Sequence, residues 1–292
     1  MFGWTLDEER SFAVLDAYVR AGGNFIDTAD SYGRGGPGGA GESERIIGSW
    51  MAARGNREKL VIATKVGMAP DLRGLSEATI RQGIEASLER LGIETVDIYY
   101  AHQDDLQTPL QETLGAFHAL IGEGKIRHAA ASNYSASRLT EALALGEREG
   151  MARYVALQPH YNLMERPAYE GELAEVCERN GLPCIPYFGL AKGFLTGKYR
   201  RDRELPDSLR AESVRDSYFN DRGFAVLDAL DEIAGRHQTT VAAVALAWLQ
   251  AQPTVLAPIA SATSPGQLSE LLASVELELA AGELERLSSV SD

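Results

Sequence analysis

Asp27, Tyr32, Lys65 and His102 each stand at, or just past, the end of a short apolar run: Asn24-Phe25-Ile26, Leu60-Val61-Ile62-Ala63 and Val96-Asp97-Ile98-Tyr99-Tyr100. Tyrosine is a poor acid near neutral pH, with an ordinary pKa of about 10, but a nearby ammonium stabilises the phenolate and lowers that value. Lys65 can be that ammonium, and Asp27 can hold it charged and oriented. His102 can donate to, or polarise, the oxygen of a bound carbonyl. Tyr32 is then a working general acid. Taken alone, an Asp ending a strand is usually a helix cap and a His after a strand usually satisfies backbone groups. Four such residues in one strand order point to an enzyme, because a parallel barrel builds its active site from the C-terminal ends of its strands.

The elements that must position these residues alternate in kind. Apolar runs at 24–26, 60–63, 96–100, 126–131, 155–157, 183–186 and 255–259 read as seven strands. Amphipathic helical patterns separate them, which is the signature of βα units and a parallel sheet. Ile80, Ile84, Leu88 and Leu91 give a one-sided helix behind a Ser76 cap. Thr108-Pro109-Leu110-Gln111 combines an N-cap, a proline at the first helical position and a glutamine three residues on, so a helix starts there. Ser135 opens another, and Val241 to Leu249 is a strongly apolar one. The expected architecture is α/β, a (β/α)8 TIM barrel formed as a single domain over residues 1–292. Its first strand is missing or truncated, since the chain opens with Phe2-Gly3-Trp4 and enters a helical pattern near Asp7. Residues 191–219 have no clear period and carry Lys192, Lys198, Arg200, Arg201, Arg203 and Arg210, which suits a lid over an anionic cofactor.

Composition narrows the partners. Against 28 basic residues stand 42 acidic ones, for a formal charge of −14, which argues against nucleic acid and against an anionic membrane. A small-molecule substrate is left. No apolar stretch is long enough to span a bilayer, and the acidic start at Asp7, Glu8 and Glu9 is unlike a signal peptide, so a cytoplasmic protein is expected. Cys177 and Cys184 fall in a helix and the following strand and read as reduced packing residues. Neither a disulfide nor a metal site is expected, and the oligomeric state is left open.

The motifs resemble a known family. Gly23-Asn24-Phe25-Ile26-Asp27-Thr28-Ala29 with Tyr32-Gly33, Ala63-Thr64-Lys65, Tyr100-Ala101-His102, Ala131-Ser132-Asn133-Tyr134, Leu157-Gln158-Pro159-His160-Tyr161-Asn162 and Leu190-Ala191-Lys192-Gly193-Phe194-Leu195-Thr196-Gly197-Lys198-Tyr199 are similar to the aldo-keto reductases, in family order over nearly the whole chain. The resemblance implies Asp27, Tyr32, Lys65 and His102 as catalytic residues, with Tyr32 the proton donor in reduction of an aldehyde or ketone by a nicotinamide cofactor. It places Ser132, Asn133 and Gln158 on the nicotinamide carboxamide and Tyr187 against the nicotinamide ring. Phe188, Leu190 and Lys192 fall where the family binds the pyrophosphate.

Two departures from the family pattern bear on the cofactor. The opening strand is not found ahead of Phe2. After the last strand, where the family usually puts Lys or Arg on the 2′-phosphate of NADPH, stand Ser261, Thr263 and Ser264, while Gln267 and Glu270 match. NADP(H) is thus the family default. NAD(H) is compatible because the basic 2′-phosphate ligands are absent, and without a counter-charge hydroxyls give a weaker preference. Gly36-Pro37-Gly38-Gly39-Ala40-Gly41 has the spacing of a dinucleotide fingerprint, but it begins well after Asp27 and leads into Glu42 and Glu44, which would repel a pyrophosphate. It reads as a flexible insertion beside the site. Trp4, Tyr134, Tyr161 and the loop after Ala191 are the expected shapers of the substrate pocket. The rival to an enzyme is a cofactor-sensing binding subunit resembling the potassium-channel β subunits of the same family.

Overall fold

The five apolar runs of the first half of the chain form one parallel sheet. In a computed structural model that describes residues 1–292, β1 (Phe25–Asp27), β2 (Val61–Val66), β5 (Val96–Ala101), β6 (Ile126–Ser132) and β7 (Leu157–Gln158) are neighbours in that order, all parallel. Between β2 and β5 a small antiparallel hairpin of β3 (Met68–Ala69) and β4 (Leu72–Arg73) intervenes, which sequence patterning does not reveal. The strands are buried on both faces: Ile62, Ala63, Val66, Tyr99, Tyr100 and Ala129 to Ala131 are all closed to solvent. Near-continuous apolar strands of this kind require helices on the outside.

Of those helices, α1 (Glu8–Arg20) precedes β1, and α2 (Glu42–Arg54), α3 (Glu77–Leu91), α4 (Leu110–Gly122) and α5 (Ala136–Glu149) follow the strands in turn. Asp7, Ser76 and Ser135 cap α1, α3 and α5 with their side-chain oxygens, as such residues do at helix starts. The start of α4 differs from expectation by one residue. Thr108 donates its hydroxyl to Asp105 at 2.6 Å instead of capping, and Pro109, extended at ψ 135°, becomes the N-cap.

The chain divides into two compact units, Met1–Gln158 with Ser261–Pro265, and Pro159–Ala260 with Gly266–Asp292. The second contains α6 (Glu172–Asn180), α7 (Ala211–Tyr218), α8 (Asp221–His237), α9 (Val241–Gln250), most of α10 (Pro265–Leu272), and α11 (Ala281–Val290). Val241 to Leu249 are buried all round. The expected strands at 183–186 and 255–259 meet only in one isolated parallel bridge, Cys184 with Val255, and a second bridge joins His160 to Tyr187. Pro183, Pro186 and Pro258 have no N–H to donate, so a continuous ladder cannot form. Both cysteines are free and buried.

The opening residues form a turn, with Phe2 bridged to Leu6, and no strand. The glycine run after Tyr32 packs closely on that turn, contrary to a flexible insertion. A Cβ on Gly36 would lie 1.8 Å from the Gly3 carbonyl oxygen.

Candidate active site

Parallel register lines up the strand ends of the first unit. Asp27 pairs across from Ala63, Lys65 from Tyr100, and His102 directly follows β5. The three side chains therefore come from three adjacent strands, and Tyr32 returns to them from the loop after β1. The Lys65 side chain is fully buried, and its Nζ donates to Asp27 Oδ2 at 2.5 Å, to the Thr28 carbonyl at 2.7 Å and to Tyr32 Oη at 3.2 Å. An ammonium has three donors. All three are met, so its position is fixed.

Burial works to lower the Lys65 pKa, but the charge of Asp27 and then of Tyr32, with their hydrogen bonds, outweighs it and leaves the pKa raised. Lys65 is a stable cation. The Tyr32 pKa is also raised, which corrects the sequence expectation. Burial is the largest effect; Lys65 lowers the value, while Asp27 and Asp30 raise it. The Lys65 charge lowers the phenol pKa, but it is opposed by Asp27 and does not outweigh burial. At rest Tyr32 keeps its proton, with the Lys65 ammonium bonded to its oxygen.

His102 is buried with its ring edge-on to Tyr32, centroids 5.8 Å apart. Burial first, then the charges of Lys65 and Arg34, push its pKa down to about 3. The imidazole is neutral across the physiological range, with Nδ1 buried and without a partner. A neutral ring offers one donor and one acceptor, which suits polarising a carbonyl oxygen.

Ser132 ends β6 and Gln158 ends β7, and both join the same network. Asn133 Nδ2 donates to the His102 carbonyl at 2.9 Å and to Ser132 Oγ at 3.1 Å. Ser132 Oγ donates to the Gln158 carbonyl at 2.8 Å. Gln158 Nε2 donates to Asp27 Oδ1 at 3.0 Å, giving the carboxylate a second partner that the sequence did not reveal. Asn133 has φ of 57°, a left-handed conformation that asparagine tolerates better than most residues. Ser261, Thr263 and Ser264 lie on the segment of this unit that leads into α10.

In the second unit, Tyr187 stacks on His160 with ring centroids 5.2 Å apart and planes 15° off parallel. Phe188 lies edge-on to both. Asn162 Nδ2 donates to the Phe188 carbonyl at 2.9 Å, while its Oδ1 accepts the Met164 and Glu165 amides. Neither His160 nor Asn162 was assigned from sequence, although both belong to the motif that supplied Gln158. Phe188, Ala191 and Lys192 all have positive φ, at 54°, 47° and 57°. Strain of this kind collects at ligand clamps, where turns of backbone N–H groups make anion sites. Gln267 and Glu270 lie on α10.

The expected lid has more structure than its composition suggested. Residues 191–196 form a short 3-10 turn, α7 follows, and Phe194 is buried among Tyr199, Tyr218, Phe219 and Phe224. Arg200 and Arg201 are ion-paired with Asp231 and Asp221, and Lys192 Nζ donates to Ser213. Two expected pocket residues are committed to the core: the Tyr134 hydroxyl pairs with that of Tyr154 at 3.0 Å, and Tyr161 donates to Glu170 at 2.8 Å. Trp4 packs against Gly35, beside the loop that carries Tyr32.

No cluster of His, Cys, Asp or Glu is arranged to hold a metal ion, and no helix is long and apolar enough to cross a membrane. The chain is 32% identical to a probable voltage-gated potassium channel subunit beta of Oryza sativa subsp. japonica, over 94% of this chain and 85% of the relative. It is 32% identical to an NADH-specific methylglyoxal reductase of Escherichia coli, covering 94% and 86%. It is 29% identical to a norsolorinic acid reductase of Emericella nidulans, covering 95% and 70%. The model of the aldo/keto reductase family, an oxidoreductase family with nicotinamide cofactors and the (β/α)8 barrel fold, matches residues 1–292. This chain belongs to the aldo/keto reductase family.

Proposed function

We propose that this protein reduces an aldehyde or ketone to an alcohol, with Tyr32 giving the carbonyl oxygen its proton, and that it oxidises alcohols in the reverse direction. The observation that carries this reading is the fully buried Lys65 ammonium shared between Asp27 and Tyr32. A buried phenol that holds its proton at rest is a donor, and an ammonium bonded to its oxygen lowers the energy of the phenolate left behind. Neutral His102 donates to the carbonyl oxygen and fixes it near Tyr32.

When bound, a reduced nicotinamide supplies the hydride. Ser132, Asn133 and Gln158 would hold its carboxamide and Tyr187 its ring face. Phe188, Leu190 and Lys192 would hold the pyrophosphate, a reading supported by the positive φ of Phe188, Ala191 and Lys192. Ser261, Thr263, Ser264, Gln267 and Glu270 are left for the adenosine end, and residues 191–219 keep the part of a cofactor loop. NADP(H) is the family default, but no Lys or Arg occurs between Arg236 and Arg286. NAD(H) is therefore accepted as well, a reading supported by likeness to a reductase named as NADH-specific. A cytoplasmic location fits this chemistry.

A second reading, a cofactor-sensing subunit with little turnover, draws on the likeness to a probable channel β subunit. The complete set of Asp27, Tyr32, Lys65 and His102 favours the enzyme. The two are separated by following nicotinamide absorbance at about 340 nm with a panel of small aldehydes and ketones and either NADPH or NADH. Turnover is expected, and Tyr32→Phe should lower kcat by about 100-fold or more while leaving cofactor affinity unchanged. No turnover with any carbonyl, together with tight cofactor binding, would favour the subunit. An active Tyr32→Phe enzyme would remove Tyr32 from its role.

A further inference from the structure

Asp30 sits between Asp27 and Tyr32 on the chain, and the mechanism above does not use it. It is 4% exposed, and neither carboxyl oxygen has a side-chain hydrogen-bond or ion-pair partner. Burying such a group is costly unless it is paired or neutral. Its place is fixed by the catalytic residues themselves. The Asp30 amide donates to the Lys65 carbonyl at 3.2 Å, and the Tyr32 amide donates to the Ala29 carbonyl at 3.1 Å. One short loop thus carries Asp27, Asp30 and Tyr32 around Lys65.

The charged and titratable groups facing Asp30 come from every neighbouring element. From α2 comes Glu44, fully buried, which accepts Thr64 Oγ1 at 2.6 Å and Arg90 Nε at 2.7 Å. From α3 comes Arg90, which also donates to Ser87 at 3.2 Å. β5 contributes Tyr99, whose buried hydroxyl has no partner. The loop itself contributes Tyr32, on which the Asp30 charge acts, and β2 carries Lys65, whose carbonyl holds the Asp30 amide. Both nearby cations are taken, Arg90 by Glu44 and Lys65 by Asp27. Burial first, then the Glu44 charge, push the Asp30 pKa up to about 7; Arg90 and the Ser31 and Gly67 amides pull the other way too weakly to offset them.

We propose that Asp30 is a positioning residue for proton transfer: an unpaired buried carboxyl whose charge state sets how tightly Tyr32 holds its proton. This rests on Tyr32 being the general acid. The sign follows from electrostatics. Once Asp30 is ionised, its negative charge opposes a second one on the Tyr32 oxygen, so the phenol becomes a weaker acid. Reduction, which starts from the phenol, then persists to higher pH. Alcohol oxidation, which starts from the phenolate, begins at higher pH. The loop widens the pH range of the reductive direction.

The test is a pair of pH–kcat profiles, reduction and oxidation, for the wild-type enzyme, Asp30→Asn and Tyr32→Phe. In Asp30→Asn, which keeps the shape and removes the charge, both the falling limb of reduction and the rising limb of oxidation should move to lower pH by about half a unit or more. Thermal unfolding gives an independent reading. Because folding raises the Asp30 pKa above its ordinary value, the melting temperature of Asp30→Asn should gain on wild type as pH rises from 4 to 7. An inactive Tyr32→Phe with Asp30→Asn limbs that coincide with wild type overturns the Asp30 proposal alone. An active Tyr32→Phe overturns the reading beneath it. Should Asp30→Asn not fold, carboxyl-carbon NMR of the wild type, with Glu44→Gln to free Arg90 for Asp30, replaces it. Limbs that follow the Asp30 midpoint support the coupling, and limbs that stay fixed refute it.

Discussion

Lys65 has no water to fall back on, so each of its protons must be met by protein, and its removal leaves more than a gap. Asp27 is itself buried, its side chain 6% exposed, and would keep only Gln158 as a side-chain partner. Truncating one member of a buried ion pair costs about 3–5 kcal/mol because the other charge is stranded. Lys65→Met should therefore lower unfolding free energy by about that amount in urea titrations, besides abolishing turnover. If the stranded carboxylate is the cause, Asp27→Asn in the same chain should recover most of the loss. A double variant as unstable as Lys65→Met would place the cost in packing instead. This pair was legible in the sequence because each residue is a lone chemical group closing an apolar run. Asp30 and Glu44 were not, because an acidic residue in a loop or first helical turn is ordinarily a solvated cap. The buried ion pair of Glu44 depends on Arg90 of α3, which lies 46 residues further along the chain.

Strands carry the site, but two helices hold the loop behind it, and their spacing depends on one residue. Gly48 of α2 faces the end of α3 so closely that a Cβ there would lie 2.6 Å from the Arg90 carbonyl oxygen and 2.7 Å from that of Leu91. Backbone cannot rotate out of the way as a side chain can. Alanine would gain up to about 1 kcal/mol in helix propensity, while overpacking costs about 1–3 kcal/mol. Gly48→Ala should lose about 1 kcal/mol or more on balance, read as a lower urea midpoint with an unchanged slope. A more stable variant would mean that α2 and α3 move apart freely. At this scale the sequence was informative where one signal dominated. The apolar runs gave the sheet of the first unit, and Asp7, Ser76 and Ser135 gave three helix starts. It misled where a residue had a rival partner, as Thr108 had in Asp105. The hairpin at Met68–Ala69 and Leu72–Arg73 is too short to show a period, and the prolines around Cys184 and Val255 reduce two expected strands to a single bridge.

For the molecule as a whole, two buried groups pull its stability in opposite directions with pH. His102 has a folded pKa of about 3 against an ordinary 6.5. The unfolded chain takes up that proton first, so the contribution of the neutral ring is complete above pH 6.5 and is lost as pH falls toward 3. Asp30 is the reverse, with a folded pKa of about 7 against 3.8, so its contribution is greatest below pH 3.8 and declines as pH rises to 7. Each slope is about 1.4 kcal/mol per pH unit where one proton is at stake, and between pH 4 and 6.5 they cancel. Carboxylates held below their ordinary range, such as Asp105 and Glu170, add an acid-labile share only at lower pH. The net charge of −14 acts almost equally on any single-site variant and drops out of a difference. Replacing His102 by Asn should therefore expose the Asp30 slope. The stability of His102→Asn relative to wild type, from urea midpoints, should rise by about 1 kcal/mol for each unit that pH falls below 6.5. A constant difference would mean that His102 takes up a proton in place as readily as in the unfolded chain. Below pH 6.5 the donor to the carbonyl oxygen would then be an imidazolium, and the neutral ring would be the working species only above it.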